Sequence, residues 1–146
     1  MGMYAAQLTT AAGSSTLPPC ALVGSTTAKL HIREIGVFNT TAIAVGLVLA
    51  RLSTAGTPGA SATTRILDGT DVQAASGILK NTYTSTAPTT AETGIAFFLG
   101  AAIGSGIVLT YGHGELVVPA TTAAAIGFIT EGTGQALKVY MKWQES

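Results

Sequence analysis

Two histidines, seven acids and a scatter of serines are the side chains of this chain that could do chemistry. His113-Gly114-Glu115 has the spacing of two metal ligands separated by one residue, and His31 would have to join them from a distant part of the sequence. A zinc site needs three or four convergent ligands, and the close His-x-His pair of cupin-type metalloenzymes is missing. The commoner role for His113 is an exposed turn between glycines, and for His31 the surface of a strand. Glu34, Asp68, Asp71, Glu92, Glu115, Glu131 and Glu145 contain no closely strand-spaced pair. A glycosidase couple would have to be assembled from different strands, and solvated loop charge is the simpler reading.

No serine lies in a G-x-S-x-G elbow, and Gly104-Ser105-Gly106 lacks the outer glycines. Gly112-His113-Gly114 and Gly132-Thr133-Gly134 lack the further glycine and the helix that a phosphate loop requires. Tyr83, Tyr111, Tyr140 and Trp143 could form a sugar-stacking platform, although aromatics at strand spacing more often anchor a core or an interface. Arg33 and Glu34 stand beside apolar strand residues and are expected to form a partly buried pair that fixes register or an interface. Cys20 is the only cysteine, so it makes no internal disulfide and no thiolate metal site, as suits folding in a reducing cytoplasm. These residues imply no catalytic group, no metal and no cofactor, and a protein that binds and builds.

The elements that must position these groups read as strands. In the last stretch Leu137, Val139, Met141 and Trp143 alternate with Ala136, Lys138, Tyr140 and Lys142, the pattern of a strand with one dry and one wet face. Ile43, Val45, Leu47 and Leu49 alternate with Ala44, Gly46, Val48 and Ala50, a strand with a large face and a small one. The small face would admit a close layer, either a second sheet or a neighbouring subunit. Leu30, Ile32, Ile35 and Val37 slip in parity, which predicts a bulge near Arg33-Glu34 or burial on both faces. Further strands are expected at residues 63–67, 78–84, 95–99, 107–111, 116–118 and 125–130, with one capped helical turn at 72–75. Eight to ten short strands between Gly- and Pro-rich turns predict an all-β antiparallel sandwich of jelly-roll type over residues 28–146. Residues 1–27 read as an N-terminal arm, or a first strand plus linker, with Tyr4, Ala6 and Leu8 on one face.

Composition narrows the partners. Charged residues are 10% of the chain against about 25% in ordinary soluble domains. Such a surface is weakly hydrated, and an oligomer or lattice that covers it is expected. Net charge is zero with scattered Lys and Arg, so phosphate neutralisation of nucleic acid has no footprint. No charged start followed by an apolar run suggests a signal peptide. Residues 94–112 carry no charge and include the small-xxx-small spacing Gly100-Ala101-Ala102-Ile103-Gly104, but Gly104-Ser105-Gly106 breaks the run into two strand lengths rather than a membrane helix.

The segment Leu30-His31-Ile32-Arg33-Glu34-Ile35-Gly36-Val37-Phe38-Asn39-Thr40-Thr41, followed by Leu49-Ala50-Arg51-Leu52-Ser53-Thr54-Ala55-Gly56-Thr57, resembles structural modules of tailed bacteriophages, including jelly-roll capsid decoration (cement) proteins. Gly114-Glu115-Leu116-Val117-Val118-Pro119 and the end from Gly127-Phe128-Ile129 through Gly132-Thr133-Gly134-Gln135-Ala136 to Trp143-Gln144-Glu145 are similar too, with residues 58–93 least alike. The resemblance implies a non-enzymatic virion protein, assembled in the host cytoplasm, that trimerises on the capsid exterior and clamps neighbouring major capsid subunits. A head-fibre base or tail protein of the same module type is the alternative, and a carbohydrate-binding β-sandwich or small cupin-like enzyme the rival from another class. Tyr4, Leu8, Leu17, Pro18 and Pro19 are the expected partner-binding residues, because a Pro-rich arm needs little ordering to dock on a neighbour.

Overall fold

The computed structural model describes residues 2–70 and 73–146, and all its regular elements are strands. In chain order they are β1 (Met3–Thr9), β2 (Ala21–Val23), β3 (Leu30–Asn39), β4 (Val45–Leu52), β5 (Thr64–Ile66), β6 (Ile78–Lys80), β7 (Thr90–Leu99), β8 (Gly106–Thr110), β9 (Val117–Val118), β10 (Ala125–Glu131) and β11 (Leu137–Glu145). One sheet runs β5-β1-β11-β3-β8, with β9 also on β3, and the other runs β6-β2-β10-β4-β7. Every pairing is antiparallel. The two sheets pack face to face as a β-sandwich around one main core. The expected helical turn at 72–75 falls partly on residues outside the described ones, and Gln73–Ala75 are irregular.

The alternation of β11 holds: Leu137, Val139, Met141 and Trp143 are fully buried, while Lys138, Tyr140 and Lys142 lie on the opposite face. The parity slip of β3 is a bulge. Lys142 pairs with Glu34 and Trp143 with Ile32, so Arg33 is the extra residue. That single insertion brings both Ile32 and Ile35 into the core, each at 0% exposure. Glu34 and Arg33 do not pair with each other, contrary to expectation. The bulge separates them: Arg33 reaches the Gln144 side chain, and Glu34 takes the Tyr140 hydroxyl at 2.6 Å and Lys142 Nζ at 3.4 Å. The Tyr140 hydrogen bond, then Lys142, holds the Glu34 carboxyl below its usual range against a partial opposing effect of burial.

Of the two readings of residues 1–27, the structure has the first strand and not the projecting arm. β1 is an interior strand held by β5 on one side and β11 on the other, and Tyr4 is 1% exposed with its ring against Trp143 at 6.2 Å. Tyr4 and Ala6 have the right parity to fill the core beside Trp143 and Met141, which is why so short an apolar set suffices. The molecular surface agrees. It measures 6596 Å², close to the roughly 6,900 Å² expected for a compact monomer of this mass, which leaves nothing for a projecting arm.

Around Ala50 the small face of β4 is covered by connecting segments rather than by the other sheet. Tyr83 and Leu17, from two connecting segments, pack on Ala21, Ala50, Leu52 and Ala125 as a minor core on the outside of the second sheet. Pro18 carries its carbonyl to the Tyr83 N–H at 3.0 Å, which fixes the two segments together. Cys20 is buried between them and the main core, and burial pushes its thiol up to about 12. Ile43, expected to begin β4, is 57% exposed in the turn before it.

Candidate protein interface

The most chemically unusual surface is the stretch without charge, residues 94–112. It forms β7, a turn and β8, and these strands are the outermost members of their two sheets. Ser105 and the glycines around it make the turn, with Gly104 in the left-handed region at φ 90°. Two free edges therefore lie along one side of the sandwich. Phe98 and Ile103 are each 75% exposed, Ile95 54% and Val108 48%. Ile43 joins them through Asn39, whose side-chain amide donates to the carbonyls of Ile43 at 2.6 Å and Gly100 at 3.1 Å. The Asn39 backbone holds Ser105 and Gly104, so one buried amide ties both turns to the same corner.

Local geometry explains the exposure. Val48 pairs with Ala96 and Ala50 with Thr93, so Gly94 and Ile95 together face Leu49 in a bulge. The bulge turns Ile95 out of the core. Phe98 is on the outer face opposite Gly46, and a Cβ at Gly46 would lie 2.7 Å from its ring. The absent side chain lets the ring lie down on the sheet. The exposed side chains wrap around this side of the sandwich, with Phe98 on the outer face of the second sheet and Val108, opposite Gly36, on the outer face of the first. The nearest ion pair, Arg51 to Glu92 at 2.9 Å, sits toward the start of β7. A bulged edge resists adding another strand, so this surface suits side-chain packing against a flat apolar partner.

The residues singled out in the sequence lie elsewhere. Tyr4, Pro18 and Pro19 are buried, and Leu8 and Leu17 are half-buried against the two cores, so none of the five forms a projecting contact. His31 and His113, far apart in sequence, stack at 4.2 Å between ring centroids. His31 is 8% exposed rather than on a strand surface, and Ser146 Oγ lies 2.7 Å from its Nε2. Burial, then the nearby His113, Lys29 and Arg33, lowers its pKa. Glu115 folds back to accept from the Gly112 N–H instead of meeting the histidines. Among the described residues, no three His, Cys, Asp or Glu side chains gather as a metal site, and no helix is long and apolar enough to cross a membrane.

Reasoning from motifs missed the apolar edge, although its signal was in the sequence. The charge-free run reads as two strands rather than a membrane helix, but its alternation does not say which of its apolar side chains stay exposed. Compared with protein-family models, curated proteins and solved structures, the chain matches none.

Proposed function

We propose that this is a non-enzymatic structural protein of a tailed-phage virion that decorates and stabilises the capsid through the β7–β8 edge. The observation that carries the reading is the exposed apolar set Ile43, Ile95, Phe98, Ile103 and Val108 on and beside two free strand edges that carry no charge from Gly94 to Gly112. The strand order supports the jelly-roll part of it. Without the short β5, β6 and β9, the sheets run β1-β11-β3-β8 and β2-β10-β4-β7, and each strand stacks on its sequence neighbour, as two Greek keys wound together would require. The likeness of the Leu30–Thr41 and Gly127–Glu145 segments to decoration proteins supports the phage part. A protein that binds only the assembled shell stabilises that state in proportion to occupancy, and a trimer touching several major capsid subunits adds multivalency.

The test is the double variant Phe98→Asp with Ile103→Asp. Both side chains are three-quarters exposed, so the melting temperature should stay within a few degrees. Burying a Phe stabilises by about 1.5–3 kcal/mol, so self-association by sedimentation velocity and co-sedimentation with phage heads should weaken at least tenfold. Mass spectrometry of virions should count the protein at a copy number near that of the capsid subunit. A low count would favour a head-fibre base or tail part. A wild-type chain that stays monomeric and never sediments with heads would end the virion reading.

A further inference from the structure

A groove of about 310 Å³ runs over the outer face of the first sheet, with its β11 wall two strands from the β8 edge. Its origin is in the side-chain sequence of β1. Ala5 and Gln7 face outward from a strand whose two neighbours carry long side chains: Thr63 and Arg65 on the β5 side, Tyr140 and Lys142 on β11. Strands are spaced at about 4.8 Å, so these walls stand roughly 10 Å apart over an alanine floor. The β11 wall leans away from the floor. Tyr140 lies across Gly36, where a Cβ would clash with its ring, and both Tyr140 and Lys142 are drawn to Glu34 on β3. The space above Ala5 is open because Gly36 and Glu34 have pulled its neighbours to the other side.

The charge in the groove is one-sided. Lys142 shares Glu34, whereas the Arg65 side chain has neither an ion pair nor a hydrogen bond among the described residues. The groove thus offers an unengaged planar guanidinium, which favours a carboxylate bidentately. Beside it stand a small apolar floor, the exposed amide of Gln7 and the edge of Tyr140. An extended peptide gains most of its affinity on a sheet from main-chain hydrogen bonds. Those are refused here, since β1 is paired on both sides over Tyr4–Ala6. Recognition must come from side chains alone, in a space the size of one or two sugar rings.

We propose that this groove binds an acidic saccharide, with the sugar carboxylate on Arg65, the ring over Ala5 and its hydroxyls on Gln7 and Lys142. The test titrates the full ¹⁵N-labelled chain with methyl β-D-glucuronide, methyl β-D-glucoside, sodium acetate and a penta-glutamate peptide. The glucuronide should saturate at a dissociation constant on the order of millimolar, with shifts centred on Ala5, Gln7, Arg65 and Tyr140. The glucoside should bind at least tenfold more weakly. Arg65→Gln should reduce glucuronide binding at least tenfold. Ala5→Leu, which fills the floor and leaves every charge in place, should do the same with the rest of the spectrum unchanged. Acetate binding as well as the glucuronide would reduce the site to a bare anion contact and overturn the proposal. Tighter binding of the peptide, or no saturation by the glucuronide below roughly 50 mM, would overturn it equally.

Discussion

Glu145 is a carboxylate at the end of the last strand, 7% exposed, and it should be the most acid-sensitive fastener of the fold. Its oxygens accept from the Ser76 N–H at 2.9 and 3.0 Å, the Ser76 hydroxyl at 2.6 Å, the Gly77 N–H at 2.8 Å and Trp143 Nε1 at 3.1 Å. It thereby pins the connection before β6 to the end of β11. Burial alone would raise its pKa, but the bonds from Gly77, Ser76 and Trp143 outweigh burial and lower it. In Glu145→Gln the amide keeps its oxygen on Gly77 and Trp143, which share one carboxylate oxygen, and turns its NH₂ to Ser76, which borders an open groove and can be satisfied by water. What is lost is the charge on the acceptor of two buried bonds, and at about 1 kcal/mol each that puts the loss near 2 kcal/mol.

The sign with pH follows from the lowered pKa. A carboxyl more acidic in the folded than in the unfolded chain contributes its stability above the unfolded value. That contribution is lost as pH falls through the folded value. Urea melts of wild type and Glu145→Gln at pH 7 should therefore differ by about 2 kcal/mol, and the difference should shrink steadily below about pH 4.5. Taking the difference cancels the acid sensitivity of Glu34, which both proteins share. A variant within about 0.5 kcal/mol of wild type, or a gap that does not change with pH, would refute the reasoning.

Two further outcomes are expected. Deleting residues 2–19 removes β1 and with it Tyr4 and Ala6 from the core, so the truncated chain should fail to give a cooperative melt by circular dichroism; a normal melt would restore the arm. Trp143→Ala should cost about 3–5 kcal/mol, since the ring is fully buried against Tyr4, whereas Lys142→Ala, which loses only a partly exposed contact to Glu34, should cost under about 1 kcal/mol in the same urea melts.

The sandwich was legible where one face of a strand is dry and the other wet. The faces of β11 follow directly from parity; the slip in β3 left a bulge or burial on both faces open, and the inserted Arg33, which lets Ile32 and Ile35 share one core, decides for the bulge. β1 was ambiguous for a physical reason. A strand flanked by two others buries its backbone through hydrogen bonds, and three inward side chains are enough, so its composition resembles a linker. The small face of β4 was legible as a place for a close neighbour, but the neighbour is Tyr83, 33 positions from Ala50 and without periodic signal. The meeting of His31 with His113 and of Glu145 with Ser76 depends on loops whose paths no pattern encodes. The exposed edge was half legible. Absence of charge marks a surface that avoids water, but only the sheet order places β7 and β8 outermost.

That order also shows the two sides of the sandwich to be managed differently. On one side the sheets end in β5 and β6, three residues each. Ile66, Leu67 and Ile78 are exposed there at 37%, 49% and 39%, but they stand among Arg65, Asp68 and Lys80. Short strands and charges are the usual protection of an edge against unwanted pairing. On the other side β7 runs for ten residues, and no charge follows Glu92 until past Gly112. A chain under pressure only to remain soluble would protect both sides alike. The contrast is what the proposed shell contact of the β7–β8 side requires. A partner there would meet the bulge at Gly94 and Ile95, which opposes continuous strand addition and leaves side-chain packing on Phe98 and Ile103 as the mode of contact.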